Sequence, residues 1–92
     1  MLKFLGNSLK VLNGHTCIVS CLVVLSNGDL ASGSEDKTVR IWNSKNGNTK
    51  ILNGHTSVVY SLALLPDGNL ASGSADNTIR IWNTNNTVIQ TV

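Results

Sequence analysis

The sequence predicts an all-β protein built from two successive four-stranded antiparallel sheets. Three observations predict it. The chain repeats itself with a period of forty: residues 10–43 align with 50–83 without gaps, and 21 of those 34 positions are identical. Short runs of β-branched and aliphatic residues alternate with Asn-Gly, Asp-Gly and similar turn signals. No segment places apolar residues at helical spacing. A unit this short cannot bury its own apolar faces, so tandem copies imply that neighbours cover one another.

The elements follow in order. Residues 1–8, MLKFLGNS, form a leader whose apolar stretch is too short for a signal peptide. SLKVL at 8–12 matches TKIL at 49–52 and reads as an orphan outer strand. It leads into a Gly-His loop, so 9–16 is one element, 17–52 the first full unit and 53–92 the second. Each unit begins with an apolar strand, IVSCLVVL at 18–25 and VVYSLALL at 58–65. SNGD at 26–29 and PDGN at 66–69 predict tight two-residue hairpins, because both central residues tolerate φ > 0. LASGS follows at 30–34 and 70–74, then the turns EDKT and ADNT, then TVRIW at 38–42 and TIRIW at 78–82. A polar loop leads to the last strand, at 49–52 and 87–92. These four strands are termed a, b, c and d. Strands a and c are apolar on both faces, which calls for cover on both.

Composition excludes several classes of function. Net charge is +2 with 13% charged residues, and the Lys and Arg residues form no run, so neither nucleic acid nor a membrane surface is an expected partner. The longest apolar run, 22–25, cannot span a bilayer. Cys17 and Cys21 sit four apart in extended chain that leads into the first strand, about 13 Å between Cα atoms and too far for a disulfide. Their counterparts are Ser57 and Ser61, so no metal or other cofactor is expected. Two free thiols suit a reducing compartment, and the cytoplasm is the expected location.

One pattern suggests catalysis. ASGSEDKTVRIWN at 31–43 and ASGSADNTIRIWN at 71–83 each hold Ser, Asp and Trp, and an NGHT precedes each. Serine, histidine and aspartate are the groups of a hydrolase. A nucleophilic site, however, needs an exposed hydroxyl and normally occurs once. This trio occurs twice, each time beside a Trp that reads as core. A buried indole N–H needs an acceptor, and a hydroxyl serves. A buried imidazole needs a partner at both nitrogens, and a carboxylate fixes its tautomer.

The spacing from Gly14-His15 to Trp42-Asn43 and from Gly54-His55 to Trp82-Asn83, with LASGSxDxTxRIW between, resembles the WD-repeat (tryptophan–aspartate) β-propeller family. The chain departs from the pattern where Asn replaces the aspartate of both Trp-Asp pairs. The resemblance implies that each sheet is a propeller blade and that His15, Ser32, Asp36 and Trp42 form one hydrogen-bonded network, with His55, Ser72, Asp76 and Trp82 its copy. Ser34 and Ser74 are the alternative serines. Arg40 and Arg80 recur in strand c and read as structural. The resemblance also implies a non-catalytic interaction scaffold for a protein or peptide. The family's contact positions map to Ile18, Ser20 and Glu35, and to Val58, Tyr60 and Ala75. Tyr60 is the only tyrosine, placed where an aromatic anchor is useful.

Propellers close with about four to eight blades. A two-blade chain therefore completes a ring only by oligomerisation, with three or four chains, or beside flanking repeats of a longer chain. In a ring of whole copies, 8–12 of one chain and 87–92 of its neighbour compete for one position. That surplus favours a piece of a longer array over a self-assembling module that has no external ligand.

Overall fold

A computed structural model describes residues 11–83 and, in backbone alone, 87–91. Eight strands follow one another: β1 Val19–Val24, β2 Leu30–Ser34, β3 Val39–Trp42, β4 Thr49–Leu52, β5 Val59–Leu64, β6 Leu70–Ser74, β7 Ile79–Asn83 and β8 Thr87–Thr91. They form two sheets, β1-β2-β3-β4 and β5-β6-β7-β8, each a meander of antiparallel neighbours. These are the two expected units. The b strands begin and end where expected, and each a strand is one residue shorter at either end. The leader at 1–8 lies outside the described residues. So does the expected outer strand at 8–12, except for Val11 and Leu12, which join neither sheet.

The a–b turns differ from the expected hairpin type. Gly28 donates its N–H to the Leu25 carbonyl at 2.9 Å, and Leu25 donates to the Asp29 carbonyl at 2.8 Å. The loop is thus three residues long, 26–28. Gly28 alone takes a positive φ, 91°, while Asn27 does not. This is a type I turn closed by a left-handed residue, not a two-residue turn with two left-handed positions. The second copy shows why. Pro66 fixes φ near −65° and suits the first central position of a type I turn, leaving only Gly68, at 88°, in the left-handed region. The b–c turns repeat the design, with Lys37 at 76° and Asn77 at 72° in the left-handed position.

Alternation along the strands sorts side chains onto two faces. Ala31, Val39, Ile41 and Leu52 point from the first sheet toward the second and are buried. Val59, Leu70 and Trp82 meet them from the second sheet, with Cys21, Val23, Leu62 and Leu64 packed at the margin. One continuous core therefore lies between the sheets. Gly33 sets their approach: a Cβ there would stand 2.7 Å from Val59 Cγ1 and 2.6 Å from Cys21 Sγ, so only glycine lets strand β5 come so close to β2. Register shifts in β1 and β5 leave Ser20 and Tyr60 as bulge residues. Bulges re-aim side chains. Ser20 uses the change to donate its hydroxyl across the gap to the Val59 carbonyl, with a second contact to Gly33 O at 3.2 Å.

Candidate functional site

The b–c turn builds the site. In the first repeat Asp36 is the middle residue of a three-residue loop closed by Lys37 N–H donating to Ser34 O. The loop projects the carboxylate back over strand β2 toward the Gly-His segment. There Thr16 N–H donates to Asp36 Oδ2 at 3.1 Å, and Thr38 N–H donates to Oδ1 at 3.0 Å. The Thr38 hydroxyl also donates to Oδ1. The glycine before the histidine lies close under the strand c arginine and, in the first repeat, the tryptophan ring. A Cβ at Gly14 would lie 2.8 Å from Arg40 Nη1 and 2.9 Å from the Trp42 ring, and one at Gly54 would lie 2.7 Å from Arg80 Nη1.

The histidine then completes a chain of four side chains. His15 Nδ1 lies 2.7 Å from Asp36 Oδ2, and Nε2 lies 2.6 Å from Ser32 Oγ. Trp42 Nε1 donates to the same Ser32 Oγ at 2.8 Å. For a neutral ring the partners dictate the proton positions. The carboxylate only accepts, so Nδ1 carries the hydrogen; Nε2 accepts from Ser32, whose oxygen accepts from the indole. The second repeat matches: His55 to Asp76 at 2.9 Å, His55 to Ser72 at 2.6 Å and Trp82 to Ser72 at 2.8 Å. Each histidine also meets its tryptophan edge-on, at centroid distances of 6.0 and 6.2 Å.

The structure thus brings together His15, Ser32, Asp36 and Trp42, and likewise His55, Ser72, Asp76 and Trp82. It also separates the two serines of each b strand. Ser34 donates to Ile18 O at 2.9 Å and accepts from Asp36 N–H at 3.0 Å, tying strand β1 to the turn. Ser74 accepts from Asp76 N–H in the same way. The order of groups is that of a hydrolytic Asp–His–Ser relay, but Ser32 and Ser72 are 2% and 1% exposed. Each of those oxygens also accepts an indole N–H.

The same bonds shift the carboxylates. Burial of Asp36 opposes its charge, but donors from Thr38, His15 and Thr16 outweigh it and hold its pKa well below the ordinary carboxylate range. Asp76 is held low chiefly by the Thr78 hydroxyl, against a smaller opposing effect of burial, with His55 and the N–H groups of Thr56 and Thr78 adding to it. A pKa depressed in the fold adds stability above the unfolded value and loses it as pH falls through the folded one. The stability that these two carboxylates contribute is therefore expected to be complete above about pH 5 and to be lost below it. Thermal melts across that range check this, and Asp36→Asn should flatten the acid limb.

The six expected contact residues share one edge. Glu35 N–H donates to Ile18 O, and Ala75 N–H to Val58 O, each at 2.9 Å, so the strand a and turn members of each repeat adjoin. Ile18, Ser20, Glu35, Tyr60 and Ala75 are exposed and Val58 is half-buried. Two polar positions escaped the sequence reading. Asn43 Oδ1 accepts from Lys45 N–H at 2.9 Å and Asn46 N–H at 3.1 Å, and Asp29 Oδ1 accepts from Ser44 N–H at 3.0 Å. An amide oxygen accepts from a backbone N–H as a carboxylate does, so Asn in place of the Trp-Asp aspartate keeps this turn closed. The signal was visible as Asn at both positions, 43 and 83.

The family model described as "WD domain, G-beta repeat" matches residues 6–43 and again 46–83. The crystal structure of the WD40 beta propeller domain of Doa1 is similar, with a TM-score of 0.84 and 32% sequence identity over 91% of this chain. This chain spans 29% of the length of that one. The curated protein sequences give no match. Two repeats matched in tandem across most of the sequence, on two blades of the corresponding fold, show that the chain belongs to the WD domain, G-beta repeat family.

Proposed function

We propose that the chain is a non-catalytic scaffold that presents one blade edge to a protein or peptide partner. The edge carrying Ile18, Ser20, Glu35, Val58, Tyr60 and Ala75 is that surface. The observation that carries this reading is Tyr60. It is the only tyrosine, it stands on a bulge of β5, and it is 56% exposed beside the exposed Ala75 turn. A large amphipathic ring held on a strand is the kind of group that anchors an interface at low entropic cost. The buried serines of the two relays argue against hydrolysis. Net charge of +2 gives nucleic acid little to hold. The thiols of Cys17 and Cys21 are free, which suits the cytoplasm.

Tyr60→Ala is expected to weaken capture of the partner about tenfold or more, with the circular dichroism spectrum unchanged. Lys45→Ala, on the opposite edge, is the control. Equal capture by Tyr60→Ala and the parent chain would remove the edge from consideration.

A further inference from the structure

We propose that Asn53 is a site of spontaneous modification in the folded chain: the backbone nitrogen of Gly54 attacks the side-chain amide, and water converts the asparagine to aspartate and isoaspartate. Asparagine is a chemically labile residue. A following glycine, with no Cβ, lets the backbone nitrogen approach the amide carbon closely. The chain holds four such pairs: Asn13-Gly14, Asn27-Gly28, Asn46-Gly47 and Asn53-Gly54. The dipeptide alone ranks them equally. The fold does not.

Two pairs are held in turns. Gly28 N–H donates to Leu25 O at 2.9 Å, while Asn27 Oδ1 accepts from Asp29 N–H at 3.0 Å. Gly47 N–H donates to Asn43 O at 2.9 Å, while Asn46 Oδ1 accepts from Asn48 N–H at 2.8 Å. Ring closure requires the glycine nitrogen to give up its proton and the side-chain amide to turn onto it. At both pairs that breaks two hydrogen bonds. Asn53 differs. It is exposed in the loop between β4 and β5, and among the described residues neither its amide nor the Gly54 N–H makes a hydrogen bond. Asn13 holds the equivalent place in the first repeat, close to residues that lie outside the described ones.

The step needs only water and solvent base. The Gly54 nitrogen loses its proton and bonds to Asn53 Cγ. The Cγ–Nδ2 bond breaks, and ammonia leaves with a proton taken from water. Water then opens the cyclic imide at either carbonyl. Opening at the side-chain carbonyl gives aspartate, which leaves the backbone unchanged at a side chain with no hydrogen bond to lose. Opening at the backbone carbonyl gives isoaspartate, which routes the chain through Cγ and adds a methylene to the backbone just before Gly54. That loop has little slack. A Cβ at Gly54 would already stand 2.7 Å from Arg80 Nη1. The next residue, His55, is buried and lies 2.9 Å from Asp76 and 2.6 Å from Ser72. Isoaspartate therefore draws the imidazole off its partners, and the chain loosens with age at that loop. This goes beyond the scaffold reading and does not depend on it.

Peptide mapping by mass spectrometry tests it, on the full chain incubated at mildly alkaline pH with and without urea. In the folded chain the mass gain of amide to acid is expected at Asn53 about tenfold or more faster than at Asn27 and Asn46, a factor set by the two hydrogen bonds those pairs must break. In urea the preference is expected to vanish. Equal rates at the three positions in the folded chain overturn the proposal. A preference for Asn53 that persists in urea overturns it too, since local sequence and not the fold would then set the rate. The effect on His55 has its own readout. Asn53→Asp, which supplies the aspartate product alone, is expected to melt with the parent chain, and the isoaspartate fraction of the aged parent to melt lower. An isoaspartate fraction that melts with the parent overturns the link to His55.

Discussion

Trp82→Ala is expected to cost about 3–5 kcal/mol. The indole is 1% exposed and lies between the two sheets, where it fills the core that Val59 and Leu70 share with blade 1. Truncation removes that packing and opens a cavity between elements that cannot collapse, because Gly33 and Val59 already fix the separation of the sheets. It also strips Ser72 of the N–H it accepts at 2.8 Å. Small domains have only about 5–15 kcal/mol of total stability, so the variant is expected to be largely unfolded at physiological temperature. Trp82→Phe separates the two effects. It keeps a six-membered ring but loses the pyrrole ring with its N–H, so its cost should be smaller than that of alanine while still including the lost hydrogen bond. Urea titrations of both variants measure the difference. Equal losses would show that the indole N–H, rather than packing, dominates.

His55→Ala is the second large effect, at about 1–3 kcal/mol. The imidazole links the Asp76 carboxylate of the turn to the Ser72 hydroxyl of the strand. Without it the buried Ser72 hydroxyl loses its partner at 2.6 Å and the Asp76 carboxylate loses one at 2.9 Å. A cavity left by the ring adds to the cost. His55 is the better choice of the two histidines because it is buried inside the stack, whereas His15 is half-buried at its outer end.

Much of this was legible in the sequence, for physical reasons that can be named. The strands were readable because apolar runs of four to eight residues between turn residues have few other uses in a chain without helical period. The relay of His, Ser, Asp and Trp was readable through the resemblance to the WD-repeat family, and the demand of a buried ring and a buried indole for partners supports it. The choice between Ser32 and Ser34 was not readable. Both share a strand face, and only the depth of the indole decides which oxygen it reaches. Nor does the sequence determine the turn type, because Asn-Gly suits two designs, and the loop length that separates them is set by where strand pairing stops. The bulges at Ser20 and Tyr60 were hidden for the same reason. The bond from Ser20 to the Val59 carbonyl joins residues of different blades, and no local pattern announces a contact made only when the sheets stack.

We propose that the twice-repeated trio braces the blades. The unfolding midpoint of His55→Ala, followed by far-ultraviolet circular dichroism at a chain concentration matched to the parent, tests it most directly. The brace predicts a midpoint lowered by the equivalent of about 1–3 kcal/mol. A midpoint equal to that of the parent chain would contradict it.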